Sequence, residues 1–133
     1  MKIDRKPPEN VPSFETQIAT FWFDEEGILN SISKNPTRTV ANTRENFELV
    51  KKISGNKKVC LLVYLTRSGV PDQETRKFVA KNLPEVYNAM AMISKPGLAK
   101  FIMNFLFRLN APPIPMKTFS DEKEARVWLK QYL

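Results

Sequence analysis

The chain has no histidine and little cysteine or glycine, and each shortage excludes a class of chemistry. Its 133 residues include one cysteine and four glycines. Without histidine, Ser-His-Asp and Cys-His catalysis are excluded, and one cysteine cannot form a Cys-ligated zinc site. No Gly-x-Gly-x-x-Gly or Walker-type phosphate loop is present either. Because no nucleophile–base pair or metal set can be assembled, we expect no enzymatic activity, cofactor or metal.

The single cysteine, Cys60, also bears on the compartment. It allows no internal disulfide, which fits a reducing environment. Residues 1–8 lack the apolar core of a signal peptide, and no apolar run reaches the length of a membrane span. We therefore expect a cytoplasmic protein in which Cys60 serves as a small core residue rather than a reactive thiol.

The net charge is +7, from 21 basic and 14 acidic residues. No acidic residue lies between Glu85 and Asp121. Four basic residues do fall in that stretch: Lys95, Lys100, Arg108 and Lys117. A basic surface favours anionic partners, although moderate charge also simply keeps a protein soluble. Basic and aromatic residues do not alternate along any strand, so we do not expect nucleic-acid binding.

One stretch, residues 59–66 (VCLLVYLT), is apolar on both faces of a strand. A strand covered on both faces reads as a continuous run of aliphatic residues, because neither side meets water. This pattern predicts the central strand of an α/β sheet. In such sheets the loop that follows a strand is where binding sites usually lie.

The rest of the chain predicts strands and helices in the order β-β-α-β-α-β-α-β-α. Residues 1–13 hold three prolines and form a flexible arm, and residues 14–133 form one domain. The predicted segments are a hairpin (15–23 and 28–33), a helix capped by Thr39 (40–54), the central strand, a helix from about 71 to 82 interrupted by Pro84, a strand (89–94), an apolar helix (98–109), a strand (116–119) and a helix capped by Ser120. Alternation after the hairpin predicts a mixed sheet that is mostly parallel.

Three features together resemble the STAS domain, the SpoIIAA-like fold of anti-sigma-factor antagonists. The central strand is followed directly by a loop and a helix. The strand at 89–94 leads into an apolar helix and a proline-rich bend. The chain ends in FSDEKEARVWL (residues 119–129), which is similar to the ending of small, uncharacterised bacterial STAS-like proteins. The resemblance implies a bacterial, non-enzymatic module that acts in regulation by binding a protein partner.

STAS domains of the partner-switching kind carry a phosphorylatable Ser or Thr where the helix after the central strand begins. This chain lacks the Asp-x-Ser-Gly-like loop of those domains, and its nearest hydroxyls are Ser68 and Thr75. The candidate site for a partner or an anion comprises four residues: Arg67, Ser68, Asp72 and Thr75. The alternative is that these residues only form a turn and cap the helix.

The helix at 98–109 is apolar almost all round. It could form a binding surface for an apolar ligand or a membrane, with four candidate residues: Phe101, Phe105, Phe107 and Arg108. It could also mediate a dimer, or be buried as part of the core. The function alternative to partner binding is thus a carrier or sensor of an apolar ligand or membrane surface. Both a monomer and a homodimer are compatible with the sequence.

Three consecutive carboxylates, Asp24, Glu25 and Glu26, lie in the hairpin turn. Acid–base or metal chemistry needs partner side chains that converge on them, and the sequence identifies none. We therefore predict that this turn is a solvated loop.

Overall fold

The computed structural model describes residues 6–34, 37–65, 71–93 and 113–133. These residues form a six-stranded sheet in the order β1-β2-β3-β4-β5-β6. The strands are β1 (Phe14–Glu15), β2 (Ala19–Phe23), β3 (Leu29–Ser33), β4 (Val59–Tyr64), β5 (Tyr87–Ile93) and β6 (Met116–Phe119). The helices in the described part of the chain are α1 (Val40–Ile53), α2 (Gln73–Val86) and α3 (Glu122–Leu129), and a 3₁₀ turn (Lys130–Tyr132) follows α3.

The sheet is mixed, as predicted. β1, β2 and β3 pair antiparallel, whereas β3, β4, β5 and β6 all run parallel. The turn between β2 and β3 places Gly27 at φ 83°, a left-handed conformation that glycine adopts without steric cost. The strand predicted at 15–23 is divided in the structure: β1 ends at Glu15 and β2 begins at Ala19, and between them the Thr16 N–H bonds to the Ala19 carbonyl at 2.9 Å.

β4 is buried on both faces, which confirms its prediction as the central strand. Leu61 and Val63 point into a core shared with α1 and α2. Cys60 and Leu62 point into a second core on the opposite face, which α3 covers. Cys60 is fully buried, and burial raises the pKa of its thiol. This residue is therefore a core side chain, as expected.

The prediction that Pro84 interrupts the second helix was wrong, because α2 continues through it to Val86. Proline removes one hydrogen bond and crowds the carbonyl four residues earlier, which is most costly in the middle of a helix. Pro84 lies in the last turn, where few further bonds are affected. β5 accordingly begins at Tyr87, two residues before the predicted start.

The cap of the last helix also differs from its prediction. Asp121, not Ser120, is the N-cap of α3, and its side chain accepts a hydrogen bond from the Lys123 backbone N–H at 3.1 Å. Aspartate and serine cap helices about equally well, so the sequence could not separate two adjacent candidates. Thr39 caps α1 as predicted, in a capping box with Asn42.

The direction of the elements gives the domain two ends. α1, α2 and α3 each follow a strand of the parallel part of the sheet, so all three begin near the carboxyl ends of those strands. We call this end the carboxyl edge. The opposite end, where α1 and α2 finish and β4 and β5 begin, is the amino edge.

Candidate functional site

Two of the four residues of the predicted partner or anion site lie together at the carboxyl edge. Asp72 is the N-cap of α2, and its Oδ1 accepts a hydrogen bond from the Thr75 backbone N–H at 2.8 Å. Hydrogen bonds from the side chain and backbone of Thr75 lower the pKa of Asp72, which is therefore ionised at neutral pH. Arg67 and Ser68 lie outside the described residues.

Asp72 and Thr75 differ sharply in exposure. Asp72 is exposed, as are Gln73 and Glu74, which follow it in the first turn of α2. Thr75 is only 1% exposed, so its hydroxyl, which hydrogen-bonds to Asp72, is closed to a modifying enzyme in this conformation. Thr75 thus acts in the helix cap, whereas the surface consists of Asp72, Gln73 and Glu74. We call these three residues the α2 start.

The α2 start is held firmly in place. The Arg76 side chain folds back and its Nη1 donates to the Pro71 carbonyl at 2.8 Å. The Arg76 backbone N–H bonds to the Asp72 carbonyl at 3.0 Å, which closes the first turn. The α2 start therefore presents two carboxylates, those of Asp72 and Glu74, on a fixed backbone.

A second polar group of residues, which the sequence did not reveal, joins α3 to the hairpin turn. Arg126 of α3 donates to Asp24 through Nη1, and its Nη2 donates to Asn30 Oδ1 at 3.0 Å and to Glu122 Oε1 at 3.1 Å. The same Glu122 oxygen accepts a hydrogen bond from the Tyr64 hydroxyl at 2.6 Å. We call these five residues the Arg126 network.

The prediction of a solvated turn was therefore wrong for Asp24. The Asp24 side chain is 16% exposed and also accepts hydrogen bonds from the backbone N–H groups of Glu26 and Ile28. No local pattern links residue 24 to residue 126, so the sequence gives no signal for this pair. Glu25 is exposed as expected, and Glu26 pairs with Lys130 at 3.1 Å on the protein surface.

The Arg126 network is suited to stabilising the fold rather than to acid–base chemistry. Burial alone would raise the pKa of Asp24, but hydrogen bonds from Arg126, Asn30 and the Ile28 backbone outweigh it and lower that pKa. A carboxylate held ionised beside a guanidinium is a poor general acid or base near neutral pH. The network instead fixes α3 across the second core.

The lowered pKa of Asp24 predicts a pH dependence of stability. A carboxylate with a depressed pKa in the folded state stabilises the fold above its unfolded pKa, and this contribution is lost as the pH falls through the folded value. We expect wild-type stability to fall as the pH drops from about 5 to below 3.8, the ordinary value, and Asp24→Asn to flatten this slope. Urea unfolding at several pH values measures the difference. Glu25→Gln, in the same turn, should keep the wild-type slope, and an unchanged slope in Asp24→Asn would contradict the assignment.

The predicted apolar surface (Phe101, Phe105, Phe107 and Arg108) lies outside the described residues. Across the described ranges, no group of three or more His, Cys, Asp or Glu side chains is placed to hold a metal ion. No helix in those ranges is long and apolar enough to cross a membrane.

The sheet order and the helix placement define the class of the protein. The fold matches that of an uncharacterized protein of the DUF3478 family from Shewanella loihica PV-4, whose crystal structure has a SpoIIAA-like fold. The match has a TM-score of 0.52 at 17% sequence identity and covers 90% of this chain and 91% of that chain. This chain therefore has a SpoIIAA-like fold, which confirms the resemblance seen in the sequence.

A match to a family model classifies the chain more narrowly than its fold does. Residues 21–133 match the model of the domain of unknown function DUF7793, and the chain belongs to this family. No curated protein matches the chain.

Proposed function

We propose that this protein is a non-enzymatic regulatory module that binds a protein partner through the α2 start. The observation that carries the proposal is the exposed, ionised Asp72 on a fixed helix turn, in the helix that follows the buried central strand along the chain. Because this turn is already ordered, it would lose little conformational entropy when a partner binds.

The charge of the α2 start indicates the kind of partner. Asp72 and Glu74 already supply negative charge at the helix N-terminus, where the helix dipole is positive. A further anion there would meet two carboxylates, so a cationic or hydrogen-bonding surface of a protein suits the site better. Within the proposed site, the partner therefore carries lysine or arginine side chains opposite Asp72 and Glu74.

A charge-reversal series tests this proposal. Asp72→Lys should weaken partner capture by about tenfold, because a charge of the wrong sign opposes binding directly. Substitution of Ser68, a candidate partner residue from the sequence, should weaken capture as well. Asp72→Asn should have a smaller effect, since asparagine caps the helix equally well and only the charge is lost. Glu124→Lys, an exposed site on α3 across the sheet, is the control with the same charge change. Equal capture by Asp72→Lys, the Ser68 variant and the control would place the partner elsewhere.

The alternative function uses residues 98–109 as a surface for an apolar ligand or membrane. It predicts that gently purified protein carries a lipid or fatty acid, which native mass spectrometry detects as a discrete added mass. Such a mass, combined with unchanged partner capture in the Asp72 and Ser68 variants, would replace the first proposal. The partner-binding proposal includes a location in the bacterial cytoplasm. We infer this location from the likeness of the chain to STAS regulators.

A further inference from the structure

Four exposed lysines lie at the amino edge, at the end of the domain opposite the α2 start. They are Lys52, Lys57, Lys58 and Lys81. Ion pairs of the described residues include Lys51 with Glu85 and Lys130 with Glu26, but none of these four lysines takes part in one. We call these four residues the lysine edge.

The end of α1 brings three of these lysines together. Gly55 and Asn56 adopt positive φ values of 66° and 64°, which reverse the chain after the helix. The Asn56 N–H then bonds to the Lys51 carbonyl at 2.8 Å, and the Lys57 N–H to the Ser54 carbonyl at 3.3 Å. This helix-ending turn returns the chain beside the last turn of α1, so residues 57 and 58 lie next to residues 51 and 52.

The register of the sheet places the part of α2 that carries Lys81 near the other three lysines. Val59, which follows Lys58, is paired with Tyr87 at the start of β5, so the end of α2 lies beside the end of α1. The ion pair between Lys51 and Glu85, at 3.6 Å, confirms that the two helix ends are adjacent. Lys81 precedes Glu85 by four residues and lies on the same face of α2.

The acidic residues near this edge do not cancel its charge. Glu85 is engaged by Lys51, and Glu48 lies one turn back along α1. In the neighbouring hairpin turn, Asp24 and Glu26 are engaged by Arg126 and Lys130 from the other face of the sheet, and Glu25 is exposed. An excess of positive charge therefore remains on the side formed by α1 and α2.

We propose that the lysine edge docks on an anionic lipid surface. A local excess of lysine attracts anionic surfaces, and each lysine held near an anionic lipid surface adds about 1 kcal/mol to that attraction. Residues 51–58 and 81 contain no arginine and no aromatic residue. Nucleic-acid sites typically add arginine forks and aromatic stacking to lysine, so a diffuse lipid charge fits this edge better than a nucleic acid.

The geometry gives this docking a consequence for the whole domain. α1 and α2 both run from the carboxyl edge to the amino edge, so a lipid surface beneath the lysine edge leaves the α2 start facing away from it. The lipid site and the proposed partner site would therefore be available at the same time. The two inferences stand separately, because they use opposite ends of the helices.

Vesicle co-sedimentation tests the docking. The probe is phosphatidylcholine vesicles with about one third phosphatidylglycerol, at about 0.1 M salt, where charges up to about 10 Å apart still interact. A variant with all four edge lysines changed to glutamine should bind about 100-fold more weakly, given several-fold per lysine. The control carries the same loss of charge at four exposed basic residues elsewhere: Lys6, Arg44, Lys117 and Lys123.

The binding of the two variants and of pure phosphatidylcholine vesicles distinguishes lipid docking by the lysine edge from general charge attraction. The proposal is supported if the control binds within about threefold of wild type, the edge variant does not, and pure phosphatidylcholine vesicles fail to bind. It is overturned if wild type does not bind the phosphatidylglycerol vesicles. It is also overturned if both variants lose binding equally, because net charge alone would then explain the attraction. Tighter binding to duplex DNA through the same four lysines would also overturn it. Because Asp72→Lys leaves the edge intact, its lipid binding reports on this proposal independently of partner capture.

Discussion

Replacing Leu62 with alanine is expected to lower the free energy of unfolding by about 2–5 kcal/mol, as for other fully buried leucines. Leu62 is 0% exposed and lies in the middle of β4, between the paired strands β3 and β5. Its side chain belongs to the core that α3 covers, together with Trp22 and Leu129. The truncation removes buried apolar contacts and leaves a cavity that the flanking strands cannot close.

Urea denaturation followed by tryptophan fluorescence measures this loss. Val127→Ala is the matched control, because it also shortens an aliphatic side chain but at a site on α3 that is 67% exposed. We expect its unfolding free energy to stay within about 0.5 kcal/mol of wild type. If Leu62→Ala were as stable as this control, β4 would not be the buried centre of the sheet.

Arg126→Ala is expected to destabilise the fold by about 2–4 kcal/mol, somewhat less than the cost of breaking a fully buried ion pair. The Arg126 and Asp24 side chains are 19% and 16% exposed, so the carboxylate left behind is largely shielded from water. Asn30 and Glu122 lose hydrogen bonds from the same guanidinium. Arg126→Lys should recover only part of the loss, because an ammonium group cannot reproduce the planar fork of donors.

Cys60 reports directly on whether α3 has come loose. Its Sγ lies 3.8 Å from the Leu129 carbonyl, beneath α3, and it is the single cysteine of the chain. Arg126→Ala should therefore speed the reaction of Cys60 with a thiol reagent under native conditions. Lys130→Ala, which removes a pair that is 55% and 39% exposed, should cost less than about 1 kcal/mol and leave the thiol protected. Equal thiol protection in both variants would show that the Arg126 network does not hold α3.

The sequence was informative about the fold where a pattern is local. The continuous apolar run of β4 and the cap at Thr39 each have a nearby physical cause, and both predictions were confirmed. The mixed sheet followed from the order of the elements. Predictions were wrong at element boundaries, such as Pro84 and the α3 cap, where two local preferences compete and packing decides between them.

The candidate site was harder to predict from the sequence than the fold, because it depends on residues far apart in the chain. Asp72 could be placed at a helix start from its neighbours alone. The burial of Thr75 could not, since it depends on how α2 packs against the rest of the protein. The pairing of Asp24 with Arg126 spans about a hundred residues and leaves no periodic trace. The lysine edge likewise needs the β4–β5 register before the end of α2, which carries Lys81, can be placed beside the end of α1.

The proposal that the α2 start binds a protein partner is tested most directly by quantitative capture from the lysate of the protein's own host. Wild type, Asp72→Lys, a Ser68 substitution and the Glu124→Lys control are immobilised at equal density, and retained proteins are measured by mass spectrometry. We expect one protein in stoichiometric amount on wild type and on the control, a loss of about tenfold on Asp72→Lys, and reduced retention on the Ser68 variant. Retention of that same protein at equal levels by all four would contradict the account.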